Sequence, residues 1–125
     1  MPLNRYESDS MQATVSDHRS DVAVLHLSGE LDADTAARLH ATLADLLERP
    51  VPRIVVDVSD LKFCDSVGLS AFITSKQVIA ARGGWLSFAG ANPFLLNLME
   101  TVGLHRYFAM FPDVDEAIAA GQAPS

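Results

Sequence analysis

Apolar positions along the chain alternate between the period of a β-strand and the period of an α-helix. Residues 22–28 (VAVLHLS) form a short apolar run typical of a strand, and residues 11–17 (MQATVSD) are predicted to pair with it through a turn at 18–21. Residues 53–58 (RIVVDV) are mostly β-branched, which indicates a central strand covered on both faces. Two shorter strands are predicted at 85–89 and 106–111.

Two helices are predicted between the first four of these strands. In the first helix the apolar residues recur at helical spacing, Asp32 or Asp34 is expected to cap the start, and Pro50 and Pro52 end it. The apolar residues of that helix are Ala36, Leu39, Leu43, Leu46 and Leu47. The second helix is predicted over residues 67–81, and the glycine pair at 83–84 ends it.

Two further helices carry clear start signals. Asn92 followed by Pro93 is typical of a cap and a first turn, and Gly103 is well placed as the C-terminal cap of that helix. Asp113 with Glu116 three residues later resembles a capping box, which predicts a final helix that runs to residue 120.

The predicted order of elements is β-β-α-β-α-β-α-β-α. This alternation predicts an α/β fold with a mixed, mostly parallel sheet of four to five strands and about four helices. A length of 125 residues fits one domain, predicted over residues 11–120. Polar residues 1–10 are predicted to form a flexible N-terminus, and residues 121–125 a flexible tail.

The net charge of the chain limits the classes of partner that it is expected to bind. A net charge of −7 and a sequence pI near 4.8 argue against binding nucleic acid or an anionic membrane, because both require clustered Lys and Arg. A protein with a basic docking surface is the expected partner. The first 20 residues do not resemble a signal peptide, and no apolar run reaches the length of a membrane span, so a cytoplasmic location is expected.

Enzyme chemistry has little support in the sequence. The single cysteine, Cys64, has no nearby His–Asp or second Cys, and a small buried apolar role is the simpler interpretation. The four histidines lack metal-ligand spacing, and no phosphate-binding glycine loop is present, so no cofactor or metal is expected. Asp57 and Asp60 flank the predicted end of the third strand and could act as acid and base, although turn and cap roles are commoner.

Two segments lie where a strand is predicted to end and a helix to begin. They are residues 29–32 (GELD) and residues 63–69 (FCDSVGL), and binding residues gather at this edge of an α/β sheet. Asp65 and Ser66 are both good N-cap residues, and on their chemistry alone a purely structural role is the commoner explanation. The alternative is modification, because a hydroxyl at a helix start is accessible and the helix dipole accepts a phosphate.

These segments resemble those of a known family. The series GELD, an apolar strand, F-x-D-S-x-G-L, a glycine pair before a strand and N-P-x-x-x-x-L resembles the bacterial anti-anti-sigma factors of the STAS-domain family, over residues 22–120. The resemblance implies a single STAS-like domain that is not an enzyme. Val67 replaces a small hydroxyl residue found in many relatives, and Cys64 replaces a larger apolar one.

The resemblance also implies a function. Ser66 would be the phosphoacceptor, and the partner an anti-sigma factor that is itself a serine kinase and binds only the unphosphorylated chain, which frees the sigma factor. A metal-dependent serine/threonine phosphatase would restore the binding form. The docking face would comprise Glu30, Asp32, Asp65, Ser66, Val67 and Gly68. The alternative is a STAS scaffold in a signalling or transport assembly that works without phosphorylation.

Overall fold

The structure, a computed structural model that describes residues 11–18 and 21–121, contains one five-stranded sheet. In spatial and chain order the strands are β1 (Met11–His18), β2 (Val22–Leu31), β3 (Arg53–Cys64), β4 (Trp85–Ala89) and β5 (Ala109–Phe111). β1 is antiparallel to β2, and every other neighbouring pair is parallel. The helices are α1 (Ala36–Leu47), α2 (Ser66–Ala81), α3 (Pro93–Thr101) and α4 (Val114–Gly121). The predicted α/β fold is confirmed.

Helices cover the two faces of the sheet unequally. Helices α1, α2 and α3 pack on one face, where buried residues of the strands, such as Leu25 and Val56, meet Leu39, Phe72 and others in the larger core. The smaller core on the opposite face joins α4 to the sheet and includes Val22, Val24, Val55, Ala89 and Ala117. Parallel strands covered on both faces explain why residues 53–58 are so apolar.

Strand β3 is longer than its sequence pattern predicts. The predicted strand ended at Val58, but β3 continues to Cys64, so Asp57 and Asp60 lie within the strand and do not flank its end. Two shifts of register against β2 interrupt the alternation of inward and outward residues. The buried positions after the first shift are therefore Leu61 and Cys64, three residues apart. This spacing does not match the two-residue period of a strand, so the sequence pattern did not predict this part of β3.

Other boundaries differ by a few residues. Strand β2 continues to Leu31, so most of GELD belongs to the strand. The cap position of α1 is Thr35 and neither Asp32 nor Asp34. The segment predicted as a strand from residue 106 begins with a 3₁₀ turn at Leu104–Arg106, and only Ala109–Phe111 is paired.

The strong start signals are confirmed. The side chains of Asn92 and Asp113 accept hydrogen bonds from the amides of Leu95 and Glu116 at 2.8 and 2.9 Å. Gly103 follows α3 with a φ of 80°, which favours glycine. The predicted flexible segments, residues 1–10 and all of the tail after Gly121, lie outside the described residues.

The buried hydroxyl of Ser87 in β4 yields a stability prediction. Among residues 11–18 and 21–121, this oxygen has no hydrogen-bond partner. A buried polar group without a partner costs about 1–3 kcal/mol, so we expect Ser87→Ala to leave the free energy of unfolding unchanged or to raise it by about 1 kcal/mol. Urea denaturation followed by circular dichroism measures this difference.

Thr35→Val is the matched control. Thr35 is also buried, but its hydroxyl donates to the Glu30 carbonyl at 2.9 Å and accepts from the Asp32 amide at 2.9 Å. Valine keeps the shape and removes both hydrogen bonds, so we expect a loss of about 1–3 kcal/mol. A similar loss in Ser87→Ala would show that the Ser87 hydroxyl has a partner after all.

Candidate functional site

The end of β2 and the start of α2 meet in one tight junction. The Asp65 amide donates to the Leu31 carbonyl at 3.1 Å, and the Asp65 carboxylate caps α2 by accepting from the Gly68 amide at 2.9 Å. Gly68 lies so close to β2 that a Cβ there would be 2.6 Å from Leu31 Cγ and 2.9 Å from its carbonyl oxygen. The two segments singled out in the sequence are therefore in direct contact.

The Ser66 hydroxyl is free at this junction. Asp65 takes the cap position, so Ser66 becomes the first residue of α2, and its side chain is exposed. Within the part of the chain that the structure describes, its hydroxyl makes no hydrogen bond. The first turn of α2 contains no acidic residue, and the Asp65 carboxylate at the cap lies next to the positive end of the helix dipole. The cap role that competed with modification in the sequence thus belongs to Asp65.

The GELD segment is held by a residue that the sequence analysis missed. The buried Thr35 hydroxyl bonds both the Glu30 carbonyl and the Asp32 amide, which fixes the chain between β2 and α1. The Asp32 carboxylate accepts from the amides of Asp34 and Thr35 at 3.0 and 3.2 Å. A threonine three residues after an aspartate was the available signal, because such pairs often close turns through their side chains.

The predicted docking residues differ in accessibility. Glu30, Ser66 and Val67 are exposed and are available to a partner. Asp32 and Asp65 are half-buried, and their carboxylates already accept backbone hydrogen bonds. Gly68 is buried against Leu31, so it positions the helix and offers no contact surface of its own.

Cys64 is poorly suited to nucleophilic chemistry. Its side chain is buried. Burial, and to a smaller extent the negative charge of Asp65, raise the pKa of the thiol to about 12. The thiolate is the reactive form of cysteine, so almost none is present at neutral pH. Residues 11–18 and 21–121 include no group of three His, Cys, Asp or Glu side chains that could hold a metal ion.

Asp57 belongs to a separate polar network. His26 Nδ1 lies 3.0 Å from the Asp57 carboxylate, and His26 Nε2 lies 3.1 Å from Ser16 Oγ. The order Ser16–His26–Asp57 matches the serine, histidine and aspartate of a nucleophilic triad. The nearby cleft of about 310 Å³, however, is lined by Asp57, Ser59 and the segment around the start of α4, and neither Ser16 nor His26 lines it.

The pKa of the Asp57 carboxyl lies below its ordinary value. Burial raises this pKa, but hydrogen bonds from the Ser59 hydroxyl and amide, at 2.7 and 3.1 Å, and from His26 outweigh burial. The carboxylate is thus kept ionised and tied to the strand. Asp60, its proposed partner in acid–base chemistry, is an exposed residue of the same strand.

Comparison with known proteins assigns the family. A family model described as "Mlab, STAS domain" matches residues 15–112. The anti-sigma-F factor antagonist RsfB of Mycobacterium tuberculosis is 30% identical over 112 residues, which cover 88% of each chain. An anti-sigma F factor antagonist of Paenibacillus polymyxa is 29% identical over 105 residues, covering 83% of this chain and 87% of the relative. The chain belongs to the STAS-domain family.

A solved structure supports the same assignment. The crystal structure of an anti-sigma factor antagonist from Mycobacterium paratuberculosis has a TM-score of 0.83 and 28% sequence identity to this chain. The match covers 92% of this chain and 97% of that structure. The resemblance noted in the sequence is therefore confirmed.

Among the described helices, none is long and apolar enough to cross a membrane.

The contact between Gly68 and Leu31 yields a second prediction. In Gly68→Ala, the added methyl overlaps the Leu31 carbonyl, so α2 must move away from β2. Overpacking of this kind costs about 1–3 kcal/mol of unfolding free energy, which urea denaturation measures. Ser70→Ala, two residues later in the same helix at an exposed position, is the control and is expected to change stability by less than about 0.5 kcal/mol. Equal stabilities for parent and Gly68→Ala would contradict the tight junction.

The lowered pKa of Asp57 yields a prediction for acid stability. The folded pKa of the Asp57 carboxyl lies below its unfolded pKa of 3.8. The ionised carboxylate therefore stabilises the fold above pH 3.8, and this contribution is lost as the pH falls through the folded pKa. We expect Asp57→Asn to be less stable than the parent at pH 7. The difference should shrink as the pH falls below about 5, in urea denaturation series between pH 7 and pH 3.

Asp60→Asn is the control for this series. Asp60 lies in the same strand but is exposed, so its replacement should have little effect across the range. A stability deficit in Asp57→Asn that stays constant down to pH 3 would show that packing, and not ionisation of the carboxyl, is responsible.

Proposed function

We propose that the chain is an anti-sigma factor antagonist that binds an anti-sigma factor kinase while Ser66 is unphosphorylated and releases it once Ser66 carries a phosphate. The observation that carries the proposal is the exposed hydroxyl of Ser66, which makes no hydrogen bond to residues 11–18 or 21–121 and lies at the first position of a helix capped by another residue. The names of the relatives support the antagonist role. Binding of the kinase frees the sigma factor, and this role belongs in the cytoplasm.

A phosphate at Ser66 is compatible with the fold. It adds close to two negative charges at the positive end of α2, which stabilises an exposed helix start by about 0.3–1 kcal/mol. The neighbouring Asp65 carboxylate opposes this by like-charge repulsion. These two effects partly cancel, so the domain is expected to stay folded in both forms.

The same phosphate is costly to a bound partner. A surface packed over Ser66 and the exposed Val67 must either desolvate a dianion or supply a cation for it. Release of the partner therefore follows from the position of the acceptor and does not require the domain to refold. A metal-dependent serine/threonine phosphatase then restores the binding form.

Phosphorylation of Ser66 is directly testable. We expect intact mass spectrometry to show one added phosphate when the chain is incubated with ATP and the host's anti-sigma factor kinase. Ser66→Ala should take up none, because it lacks the acceptor hydroxyl. Ser70→Ala is the matched control and should be modified like the parent, because Ser70 is also exposed but its hydroxyl donates to the Val67 carbonyl at 2.6 Å.

Two outcomes would overturn the proposed switch. Phosphate on Ser66→Ala would place the acceptor elsewhere in the chain. No phosphate on the parent, with kinases shown to be active on another antagonist, would favour a STAS scaffold that works without phosphorylation.

Binding should follow the charge at position 66. Ser66→Ala is expected to bind the kinase as tightly as the parent, whereas Ser66→Asp should weaken binding about tenfold or more, because it places a permanent charge at the interface. Isothermal titration calorimetry with the purified kinase measures both values. Equal affinity for the two variants would contradict release by charge.

A further inference from the structure

Two phenylalanines form an exposed aromatic pair, and one of them lies three residues before Ser66 in the chain. The rings of Phe63, at the end of β3, and Phe94, at the start of α3, stack with centroids 6.0 Å apart and an interplanar angle of 26°. Phe63 is 41% exposed and Phe94 is 49% exposed. Val67 follows Ser66 in the first turn of α2 and is 51% exposed. Large apolar side chains exposed together are typical of interaction surfaces.

The backbone beneath the aromatic pair is firmly held. The Asn92 side chain donates to the Leu61 carbonyl at 3.2 Å and accepts from the Leu95 amide at 2.8 Å, which ties the start of α3 to β3. A register shift lies just before Phe63, so Phe63 is exposed while Leu61 and Cys64 on either side of it are buried. Both rings therefore stand on fixed backbone and lose little freedom on binding, which favours an anchor.

The segments beside Phe63, along the chain and on the neighbouring strand, are acidic. Residues 30–34 contain three carboxylates, and residues 60–67 contain two carboxylates and one lysine, Lys62. Glu30 is exposed and stands opposite Phe63 on the neighbouring strand. An apolar centre with an acidic rim is complementary to an apolar side chain flanked by Arg or Lys.

We infer that the Phe63–Phe94 pair is the apolar anchor that receives an aliphatic or aromatic side chain of the anti-sigma factor, with basic residues of that partner facing Glu30. This inference rests on the proposed function. It extends the docking face from the start of α2 across the end of β3 to the start of α3. Aromatic residues near the centre of an interface commonly carry much of its binding energy.

Truncation of the aromatic pair tests the inference. With the anti-sigma factor kinase that phosphorylates the parent as the probe, we expect Phe63→Ala and Phe94→Ala each to raise the Kd about tenfold to hundredfold. Leu96→Ala is the matched control, since Leu96 lies on the same helix and is 43% exposed but does not share the face of Phe94. It should change the Kd less than about threefold. Urea denaturation of each variant confirms that it is folded.

The outcomes separate this inference from the proposed function. If the parent binds and Ser66→Asp releases, but both phenylalanine variants bind as the parent does, the anchor is wrong and the switch stands. If Leu96→Ala weakens binding as much as Phe94→Ala, the pair is not the anchor. If the parent binds no kinase, the proposed function and the inference fall together. If the free chain forms a dimer that both phenylalanine variants dissociate, a second copy occupies the pair and the inference is overturned.

Discussion

The contact between Gly68 and the Leu31 carbonyl is the constraint on which the candidate site depends. It brings the end of β2 and the start of α2 closer than any side chain at position 68 would permit. That approach places the Asp65 amide within hydrogen-bonding distance of Leu31 and directs the Asp65 carboxylate to the Gly68 amide. The carboxyl ends of β2 and β3 thereby present Glu30 and Ser66 on one edge of the sheet.

Ser66 is available for modification because the neighbouring Asp65 caps the helix in its place. A helix needs one cap, and the Asp65 carboxylate supplies it, so the adjacent hydroxyl is free of any structural duty in the described part of the chain. Separating the cap from the acceptor allows the charge at position 66 to change while the helix start stays intact.

Sequence reasoning succeeded where the signals were local and failed where they depended on neighbours. The Asn92 side chain caps the helix that directly follows it, and the positive φ of Gly103 ends that helix, so α3 was predicted closely. The second half of β3 was missed because register shifts against β2 remove the period-two pattern. Asp65 and Ser66 have similar cap propensity, and only the geometry distinguishes them. The pairing of Phe63 with Phe94 joins distant segments, which no local pattern reports.

An apolar anchor beside a modifiable hydroxyl suits both binding and release. On the proposed function, burial of the aromatic pair contributes to affinity because water leaves the contact, and water must leave the neighbouring Ser66 hydroxyl as well. A neutral hydroxyl tolerates this desolvation, whereas a dianion in the same place does not unless a cation meets it. The more completely the partner excludes water from this edge, the larger the effect of one phosphate. Tight binding and sharp release therefore arise from the same contact and do not oppose each other.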